Sequence, residues 1–273
     1  MKNILVYFGY KKSWSKIYNK DELLKYLSDI IHDIKIFTTI NSLQDYLNKE
    51  GKNYKNYILP VRIKHIMELN DANINSLFKI ENVQLEQFYE KKLFSNFVKK
   101  FNLQKYVPKY YTEQSSDNDL VILKPNISAF SDGVYTKKLF EVTKKEFKDY
   151  VVQKYIFNSK EYAGYFVSHN GKITYSFAFE REFGNGEYIK IKNPCLHEKI
   201  VQVDSDTIKS IEKFLKPYKY TGPSCFDYKI VDGKISVFEI NPRLGGSLSD
   251  GRYKELSNII SELIKNYDKR KSF

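Results

Sequence analysis

Apolar residues in the first 61 positions of the chain form five short groups. Strand-length apolar runs alternate with segments of helical apolar spacing, in the order 2–9, 21–31, 34–38, 42–49 and 57–61. Asp21 is the predicted cap of the first helix, because a carboxylate at that position can accept backbone N–H bonds. Strands that alternate with helices predict a small parallel α/β sheet, which we assign to a domain of residues 1–84.

The rest of the chain has a mixed pattern with more strands than helices. Helical spacing covers 86–102, 203–215 and 253–266, whereas strand patterns cover 120–124, 134–140, 150–156, 161–168, 172–180, 225–231 and 235–240. Asn170-Gly171 and Asp232-Gly233 separate two of the strand pairs, and both dipeptides favour tight hairpin turns. The fold class predicted for the whole chain is therefore α/β followed by α+β.

The second of these hairpins carries oxygen-bearing side chains on one face. Asp227 lies in its first strand, and Glu239 and Asn241 lie two residues apart in its second strand, so that the last two point the same way. Oxygen ligands without His or Cys suit Mg²⁺ or Mn²⁺. A guanidinium follows at Arg243, as a phosphate site would need. The simpler alternative is a hairpin whose acidic side chains only face solvent.

The stretch Glu-Ile-Asn-Pro-Arg-Leu-Gly-Gly-Ser at 239–247 resembles the metal-binding hairpin of the ATP-grasp superfamily. Three earlier stretches resemble other motifs of that family in the same order, so that the resemblance covers about residues 88–249. It is nearer to the carbamoyl-phosphate-synthase-like and amino-acid-ligase branch than to the D-alanine ligase branch. The resemblance implies an ATP-grasp domain over 85–273, with two lobes at about 112–155 and 156–273 that hold MgATP between them.

The first two of these stretches supply candidate phosphate ligands. Glu90-Lys91, within the helix predicted at 86–102, resembles the family's Asp-Lys pair, although a surface lysine would give the same pattern. Lys124 ends a short strand and matches the family lysine that bridges the α- and β-phosphates. The loop after it contains Ser131 and would close over the triphosphate with backbone N–H groups. By the same resemblance Arg181 is a further phosphate ligand.

The third stretch, Tyr-Val-Val-Gln-Lys-Tyr-Ile at 150–156, matches the strand whose end pairs with adenine in the family. The residues that flank the base by this match are Gln153, Lys154, Tyr155 and Ile156. Glu161 follows five residues later and matches the carboxylate that accepts hydrogen bonds from the ribose hydroxyls.

The activity implied by the resemblance is ATP-dependent ligation of a small carboxylate to an amine. An acylphosphate forms first, with Lys124 and Arg243 as the catalytic residues, and an amino acid is the favoured carboxylate. The cofactors are ATP and Mg²⁺ (or Mn²⁺). One alternative is a kinase of the same fold that phosphorylates a small-molecule acceptor and keeps the phosphate on its product.

Composition and net charge indicate which other classes of protein can be set aside. A hydrophobic content of 42% and an aromatic content of 16% favour a folded core over disorder. The net charge of +12 suggests nucleic-acid binding as a second alternative, but the lysines are spread along the chain and favour a solvated surface instead. No apolar run approaches 18 residues and no signal peptide is evident, so that we expect a cytoplasmic protein with no membrane partner.

Overall fold

The computed structural model describes residues 1–9, 19–115, 117–127, 132–184, 195–249 and 251–271. Its first unit is a three-stranded parallel sheet in the order β2-β1-β3, with strands β1 (Asn3–Phe8), β2 (Asp33–Phe37) and β3 (Lys55–Pro60). Three helices connect or follow these strands: α1 (Lys20–Leu27), α2 (Ile40–Asn48) and α3 (Ile63–Asp71). The predicted parallel sheet is confirmed, and α3 is an addition to the predicted elements.

The cap of helix α1 lies two residues before the predicted one. The side chain of Asn19 caps the helix by accepting a hydrogen bond from the backbone N–H of Glu22 at 3.2 Å. The prediction of Asp21 as the cap is therefore wrong, because Asp21 already lies in the first turn. A carboxylate there still interacts favourably with the positive end of the helix dipole.

The prediction of a single helix at 86–102 is wrong in one respect, because this segment contains two helices. Helix α4 spans Asn82–Tyr89 and helix α5 spans Lys91–Lys100. Between them Glu90 has extended backbone angles, with φ −85° and ψ 120°. The apolar stripe continues across the break through Phe88, Phe94 and Phe97, which all lie in the core. Periodicity alone does not reveal the break, since both helices bury the same face.

A second, antiparallel sheet has three strands in the order β5-β4-β6. Its strands are β4 (Leu120–Pro125), β5 (Tyr135–Lys138) and β6 (Tyr150–Lys154), and helix α6 (Lys144–Asp149) precedes the last of them. Strand β5 is shorter than the predicted 134–140, because residues Leu139–Glu141 form a turn of 3₁₀ helix. This sheet has a hydrophobic cluster of its own, formed by Tyr111, Val121, Leu123, Leu139 and Val152.

The third sheet is antiparallel and has the order β11-β10-β7-β8-β9. Its strands are β7 (Lys160–His169), β8 (Lys172–Glu182), β9 (His197–Val201), β10 (Gly222–Val231) and β11 (Lys234–Asn241). Both predicted hairpins are present, whereas β9 is a strand that the pattern did not predict. Helix α7 (Ser205–Leu215) precedes β10 and starts after Asp204, which accepts bonds from two backbone N–H groups.

Each hairpin turn has positive φ at both of its central residues. The values are 50° and 77° at Asn170 and Gly171, and 50° and 71° at Asp232 and Gly233. Positive φ at both positions is the signature of the type I′ turn, whose twist matches that of the flanking strands. The Asp232-Gly233 turn sets the register from Val231 to Tyr228, and an irregularity between Asp227 and Tyr228 then shifts it by one residue, so that Asp227 lies opposite Glu239.

The main core joins the first sheet to the third. One continuous cluster of buried residues runs from β1 and β3 through α4 and α5 to β7, β10 and the last helix, α8 (Tyr253–Lys271). Helix α8 also ties the two units together by polar contacts, since Asp268 accepts from Tyr57 Oη at 3.0 Å and pairs with Lys55 at 2.9 Å. Among the described residues no helix combines the length and the hydropathy needed to cross a bilayer.

Candidate nucleotide and metal site

The hairpin of β10 and β11 holds the predicted metal ligands side by side. Asp227 is the direct cross-strand partner of Glu239, and Cys225 is the partner of Asn241. A register irregularity between Asp227 and Tyr228 interrupts the ladder next to the first carboxylate. Cross-strand partners have Cβ atoms about 5 Å apart, which allows two carboxylates to share one cation.

The donor set of this hairpin fits a hard divalent cation. Asp227 and Glu239 supply carboxylate oxygens, which Mg²⁺ prefers. Asn241 Nδ2 donates to Glu239 Oε1 at 3.3 Å, and Asn241 Oδ1 accepts from Arg243 Nη2 at 3.2 Å. The amide must therefore rotate to turn its oxygen toward a cation beside Glu239. Within the described part of the chain no cluster of three or more His, Cys, Asp or Glu side chains has metal-site geometry.

Lys124 lies close to this hairpin although it belongs to the small antiparallel sheet. It is the fifth residue of β4 and is paired with Val151 of β6. Its side chain is half-buried, and Nζ lies 5.3 Å from the centre of the Phe238 ring, which belongs to β11. A cation over an aromatic face is attracted by the ring quadrupole. This contact joins the small sheet to the β10–β11 hairpin.

The electrostatic surroundings of Lys124 bring together most of the predicted site. Burial lowers the pKa of Lys124 to about 8, because desolvation penalises the ammonium. The negative charge of Glu239 opposes this shift, and the Lys91 ammonium adds to it. Glu161 and Asp227 also raise the pKa. A triphosphate entering this group of charges would meet two ammoniums and would stabilise the protonated form of Lys124.

The break before α5 determines where Lys91 lies. Asn126, just after β4, accepts from the backbone N–H of Lys91 at 3.1 Å through its carbonyl and from that of Lys92 at 2.9 Å through its side chain. The Asn126 amide also donates to Glu90 Oε2 at 3.1 Å. Lys91 is buried with 8% exposure, whereas Lys92 is directed to the Lys148 carbonyl at the surface. The surface alternative for Lys91 is therefore wrong.

The predicted adenine strand ends at Lys154, but its side chains point in different directions. The Lys154 ammonium is exposed and pairs with Asp119 at 3.2 Å, so that only the backbone of this residue can approach a base. Gln153 is buried with 2% exposure and forms an isolated bridge with Tyr110. Tyr155 is buried as well, and its ring packs edge-on against Phe157 at 4.9 Å. Gln153 and Tyr155 are therefore buried next to the predicted adenine strand, whereas the Lys154 side chain faces solvent.

Glu161 is buried at the start of β7 and has a cation beside it that the sequence analysis missed. Lys229 of β10 is 3% exposed, and its Nζ donates to the Ile156 carbonyl at 2.8 Å. Burial lowers the pKa of Lys229 to about 8, and the charge of Glu161 opposes the shift. The signal available in the sequence was alternation, since Lys229 lies two residues after Asp227 in the same strand.

Arg181 of β8 is the cross-strand partner of Glu161 in β7. Its Nε pairs with Glu198 of β9 at 2.6 Å, and Nη2 donates to Ser247 Oγ at 2.8 Å. Burial alone would lower the pKa of Arg181, but the bond to Glu198 reverses the shift, and the charge of Asp227 adds to the increase. Arg252 binds the other oxygen of Glu198, so that two guanidiniums share one carboxylate.

Arg243 is held by polar groups of its own loop. Nη1 donates to the Leu244 carbonyl at 2.7 Å, and Nη2 donates to Asn241 Oδ1 at 3.2 Å. A Cβ at Gly245 would lie 2.5 Å from Tyr165 Oη and 2.9 Å from Cys225 Sγ. Only glycine fits there, so that the loop after Arg243 runs tightly over the third sheet. In the described residues no carboxylate is paired with Arg243.

Comparison with known protein families gives a match over the part of the chain that contains the site residues. A family model described as "ATP-grasp domain" matches residues 90–247, which is more than half of the chain. This chain belongs to the ATP-grasp family. The match begins at Glu90, where the helix breaks, and ends at Ser247, the hydrogen-bond partner of Arg181. No curated protein sequence matches the chain.

Solved structures share the ATP-grasp fold at low identity. D-alanine–D-alanine ligase from Bacillus anthracis has a TM-score of 0.63 at 16% identity, covering 100% of this chain and 99% of that one. L-amino acid ligase from Bacillus licheniformis has a TM-score of 0.56 at 14% identity, over 90% and 68% of the two chains. N5-carboxyaminoimidazole ribonucleotide synthetase from Thermotoga maritima has a TM-score of 0.52 at 15% identity, covering 90% of this chain and 70% of that one. These similarities show the fold.

Most of the predicted ATP-grasp residues converge, with two qualifications. Lys91, Lys124, Glu161, Asp227 and Glu239 form one electrostatic group, and Asn241 and Arg243 lie beside it. The Lys154 side chain points away, and Ser131 lies outside the described residues. Besides Lys229, the sequence analysis missed Asn126, Glu198 and Phe238. These three act through contacts with residues far along the chain, for which the local pattern gave no signal.

Proposed function

We propose that this ATP-grasp enzyme is an ATP-dependent carboxylate–amine ligase that acts through an acylphosphate. The observation that supports this most directly is the group of charges around Lys124. The charges of Lys91, Glu239 and Asp227 all act on the Lys124 ammonium, which lies over the Phe238 ring of the β10–β11 hairpin. Opposed cations and metal-binding acids are what a magnesium nucleotide needs, because its phosphates bind both.

In the proposed complex the triphosphate lies between Lys91 and Lys124 on one side and Asp227 and Glu239 on the other. Mg²⁺ held by those two carboxylates and Asn241 would neutralise charge on the phosphates. The base would lie against residues 153–156, and Glu161 would accept from the ribose hydroxyls. An ATP complex of D-alanine–D-alanine ligase from Bacillus anthracis is among the similar structures, with a TM-score of 0.59.

The proposed chemistry also gives roles to two arginines, Arg243 and Arg181. A substrate carboxylate oxygen attacks the γ-phosphorus, the bond to the β-phosphate oxygen breaks, and ADP leaves. An amine nitrogen then attacks the acyl carbon and loses a proton as phosphate leaves. A planar guanidinium can bind two oxygens of the migrating phosphoryl group, and Arg243 lies next to the metal-binding amide of Asn241. Arg181, oriented by Glu198, would be a further ligand of the phosphates.

We further propose that the carboxylate is an amino acid or another small carboxylate. Two of the similar structures are named as ligases of amino acids. A second candidate function is phosphorylation of a small-molecule acceptor, which the same phosphate-binding residues could support. The two reactions differ in the fate of phosphate, since a ligase releases it and a kinase retains it on the product.

A substrate screen tests the proposal. The protein is incubated with MgATP and pairs of L- and D-amino acids, and free phosphate, ADP and the mass of new products are measured. Ligation predicts equal amounts of ADP, phosphate and an amide product. ADP formed with no free phosphate and a phosphorylated acceptor would support the kinase instead. No binding of MgATP by calorimetry would overturn the proposal as a whole.

Arg243→Lys tests the acylphosphate step. Lysine keeps the charge but loses the paired donors, so that we expect product formation to fall at least 30-fold while MgATP affinity stays within about threefold, as for a contact made mainly in the transition state. Arg270→Lys is the matched control, because Arg270 contacts Ser76 and Tyr267, away from the predicted site residues. Parental product formation by Arg243→Lys would remove Arg243 from the catalytic residues.

A further inference from the structure

A cavity of about 810 Å³ lies among the α3–α4 connection, the β7–β8 turn, the segment before β10 and helix α8. No described residue that was predicted to bind the nucleotide or the metal lines it. Strand β7 has 10 residues and rises about 3.3 Å per residue, so that the turn at Asn170 lies about 30 Å along the strand from Glu161. The cavity is therefore separate from the candidate nucleotide site.

Hydrogen bonds between distant segments hold the walls of this cavity together. The backbone N–H of Lys79 donates to the Thr221 carbonyl at 2.7 Å, and that of Asn170 donates to Thr221 Oγ1 at 2.8 Å. Arg270 Nη2 donates to the Ser76 carbonyl at 3.0 Å, which ties α8 to the segment before Lys79. A ligand would therefore enter a preformed cavity and would not have to order its walls.

The lining carries more positive than negative charge. Its cations are Lys79, Lys219 and Arg270, and its acids are Asp71 and Glu81. Both acids are engaged elsewhere, one by a side-chain amide and the other as the cap of α4. In the part of the chain that the structure describes, none of the three cations is paired with a carboxylate. The positive charge of the lining is thus not neutralised by the protein.

The histidine that precedes the β7–β8 turn experiences the same positive charge. Burial lowers the pKa of His169, and the charges of Arg270, Lys269 and Lys79 lower it further. A further cation is disfavoured there, because like charges destabilise the protonated ring. For the same reason an anion beside these groups would be favoured.

The chemistry of the lining limits what kind of anion fits. Lys79 and Lys219 are exposed, so that their ammoniums are available to a ligand, and lysine binds phosphate as a point charge. The Arg270 guanidinium is already held by a carbonyl and an aromatic ring, and it contributes its charge only. The side-chain amides of Asn73 and Asn75 also line the cavity and can exchange hydrogen bonds with hydroxyl groups. A sugar phosphate combines hydroxyl groups with a phosphate that carries nearly two charges near neutral pH.

We propose that this cavity is a second binding site, which takes a small hydroxyl-bearing phosphate ester through Lys79 and Lys219. The inference does not depend on the proposed function, since no residue of the nucleotide or metal site contributes to it. The alternative is a cleft filled with solvent, in which the two lysines have no ligand.

Calorimetric titration with ribose 5-phosphate, inorganic phosphate and ribose tests the site. The protein is used without nucleotide, near neutral pH and at constant ionic strength, because charge-dependent binding weakens with salt. We expect ribose 5-phosphate to bind with a dissociation constant below about 1 mM, inorganic phosphate to bind more weakly, and ribose to give no binding heat. Absence of binding by both phosphate probes, or equal affinity for ribose and ribose 5-phosphate, would overturn the inference.

Charge-removing variants locate the bound phosphate. Lys79→Met and Lys219→Asn each remove one ammonium from an exposed position, and asparagine tolerates the φ of 45° found at Lys219. We expect each variant to weaken ribose 5-phosphate at least about threefold and the double variant at least about tenfold. Lys234→Met, which removes an exposed lysine of the β10–β11 hairpin, should match the parent.

Lys124→Ala shows which of the two sites the probe occupies. Ribose 5-phosphate bound in the cavity should keep its affinity in this variant to within about twofold, because Lys124 does not line the cavity. Loss of binding in Lys124→Ala, together with unchanged binding in Lys79→Met and Lys219→Asn, would place the probe at the nucleotide site and overturn the inference.

Discussion

Two lysines, Lys124 and Lys229, carry most of the unusual electrostatics of the site. Lys229 is buried and Lys124 is half-buried, and desolvation lowers the pKa of each to about 8. Free energy is needed to hold ammoniums there, and the carboxylates of Glu239 and Glu161 offset part of it. Perturbed lysines next to paired acids are typical of functional sites, since an ordinary surface would leave them solvated.

Glu239→Gln removes one charge from the metal-binding pair with little change in shape. We expect MgATP turnover to fall at least 100-fold, because a neutral amide binds Mg²⁺ weakly, while the melting temperature without nucleotide stays within about 2 °C. Steady-state phosphate or ADP release measures the first effect and thermal unfolding the second. Glu262→Gln, which removes a carboxylate paired with Lys265 on α8, should turn over as the parent does. Turnover near the parental rate in Glu239→Gln would exclude the metal assignment.

The lowered pKa of Lys124 predicts proton uptake when MgATP binds. Phosphate favours the protonated amine, so that the pKa rises above about 8 in the complex. Between the two pKa values binding takes up a proton, and affinity falls as the pH rises through 8. Calorimetry at pH 8 should therefore give heats that vary with the ionisation enthalpy of the buffer, and at pH 6 heats that do not.

The Lys229→Gln variant separates the two lysines in this measurement. In this variant the proton uptake that accompanies MgATP binding at pH 8 should persist, because Lys124 is intact. Fewer protons than in the parent are expected if Lys229 also takes up a proton in the parent. Buffer-independent heats at pH 8 in both proteins would show that Lys124 does not titrate on binding.

Two local elements prepare the site: the helix break at Glu90 and the type I′ turn at Asp232-Gly233. The break turns Lys91 inward at the start of α5, through the contacts of Asn126 with three successive residues. The turn sets the pairing of residues 228–231 with residues 234–237, and the irregularity after Asp227 then brings Asp227 opposite Glu239. Short segments thus control the geometry of side chains that lie several residues away.

Gly233→Ala tests the turn without introducing a steric clash. Gly233 has φ 71°, and a Cβ there would meet no atom within 4 Å, so that the cost comes from the backbone alone. We expect a loss of about 1 kcal/mol in the free energy of unfolding and a fall of about 2–4 °C in the melting temperature. Gly184→Ala, equally open but without positive φ, should change stability by less than about 0.5 kcal/mol. Equal effects in the two variants would contradict the turn assignment.

At the scale of the whole molecule, the site lies where two separately packed cores meet. The small sheet has its own cluster around Val121 and Leu123, whereas the hairpin of β10 and β11 belongs to the main core. Their side chains meet at the Lys124–Phe238 contact. A ligand bound there would add contacts to both cores, and this supports the predicted division into two lobes, which stays a prediction.

Hydrogen exchange can detect this coupling. MgATP should slow amide exchange both in β4 and β6 of the small sheet and in β10 and β11 of the large sheet, because the nucleotide is proposed to bind between the two sheets. Helix α2, on the far side of the first sheet, serves as an internal reference and should exchange equally with and without the nucleotide. ATP with a chelator should protect much less. Protection limited to one sheet would contradict a site between the lobes.

The sequence by itself determined the features that depend on neighbouring residues. Alternation placed Glu239 and Asn241 on one face, the Asp232-Gly233 turn specified the hairpin, and apolar spacing gave the parallel sheet. These are encoded locally, since strand period, helix period and turn conformation involve only a few consecutive residues. The order of the motifs then predicted the family, which the match over residues 90–247 confirmed.

Only the tertiary structure decided features that depend on distant residues. The helix break at Glu90 is held by Asn126, 36 positions later, and Lys229 meets the Ile156 carbonyl 73 positions earlier. Arg181 is oriented by Glu198 on a strand that the pattern did not predict. Such pairs leave no periodic signal, because a hydrogen bond across the fold requires two suitable groups and no particular spacing between them. Burial of a charged side chain is likewise a property of the folded chain.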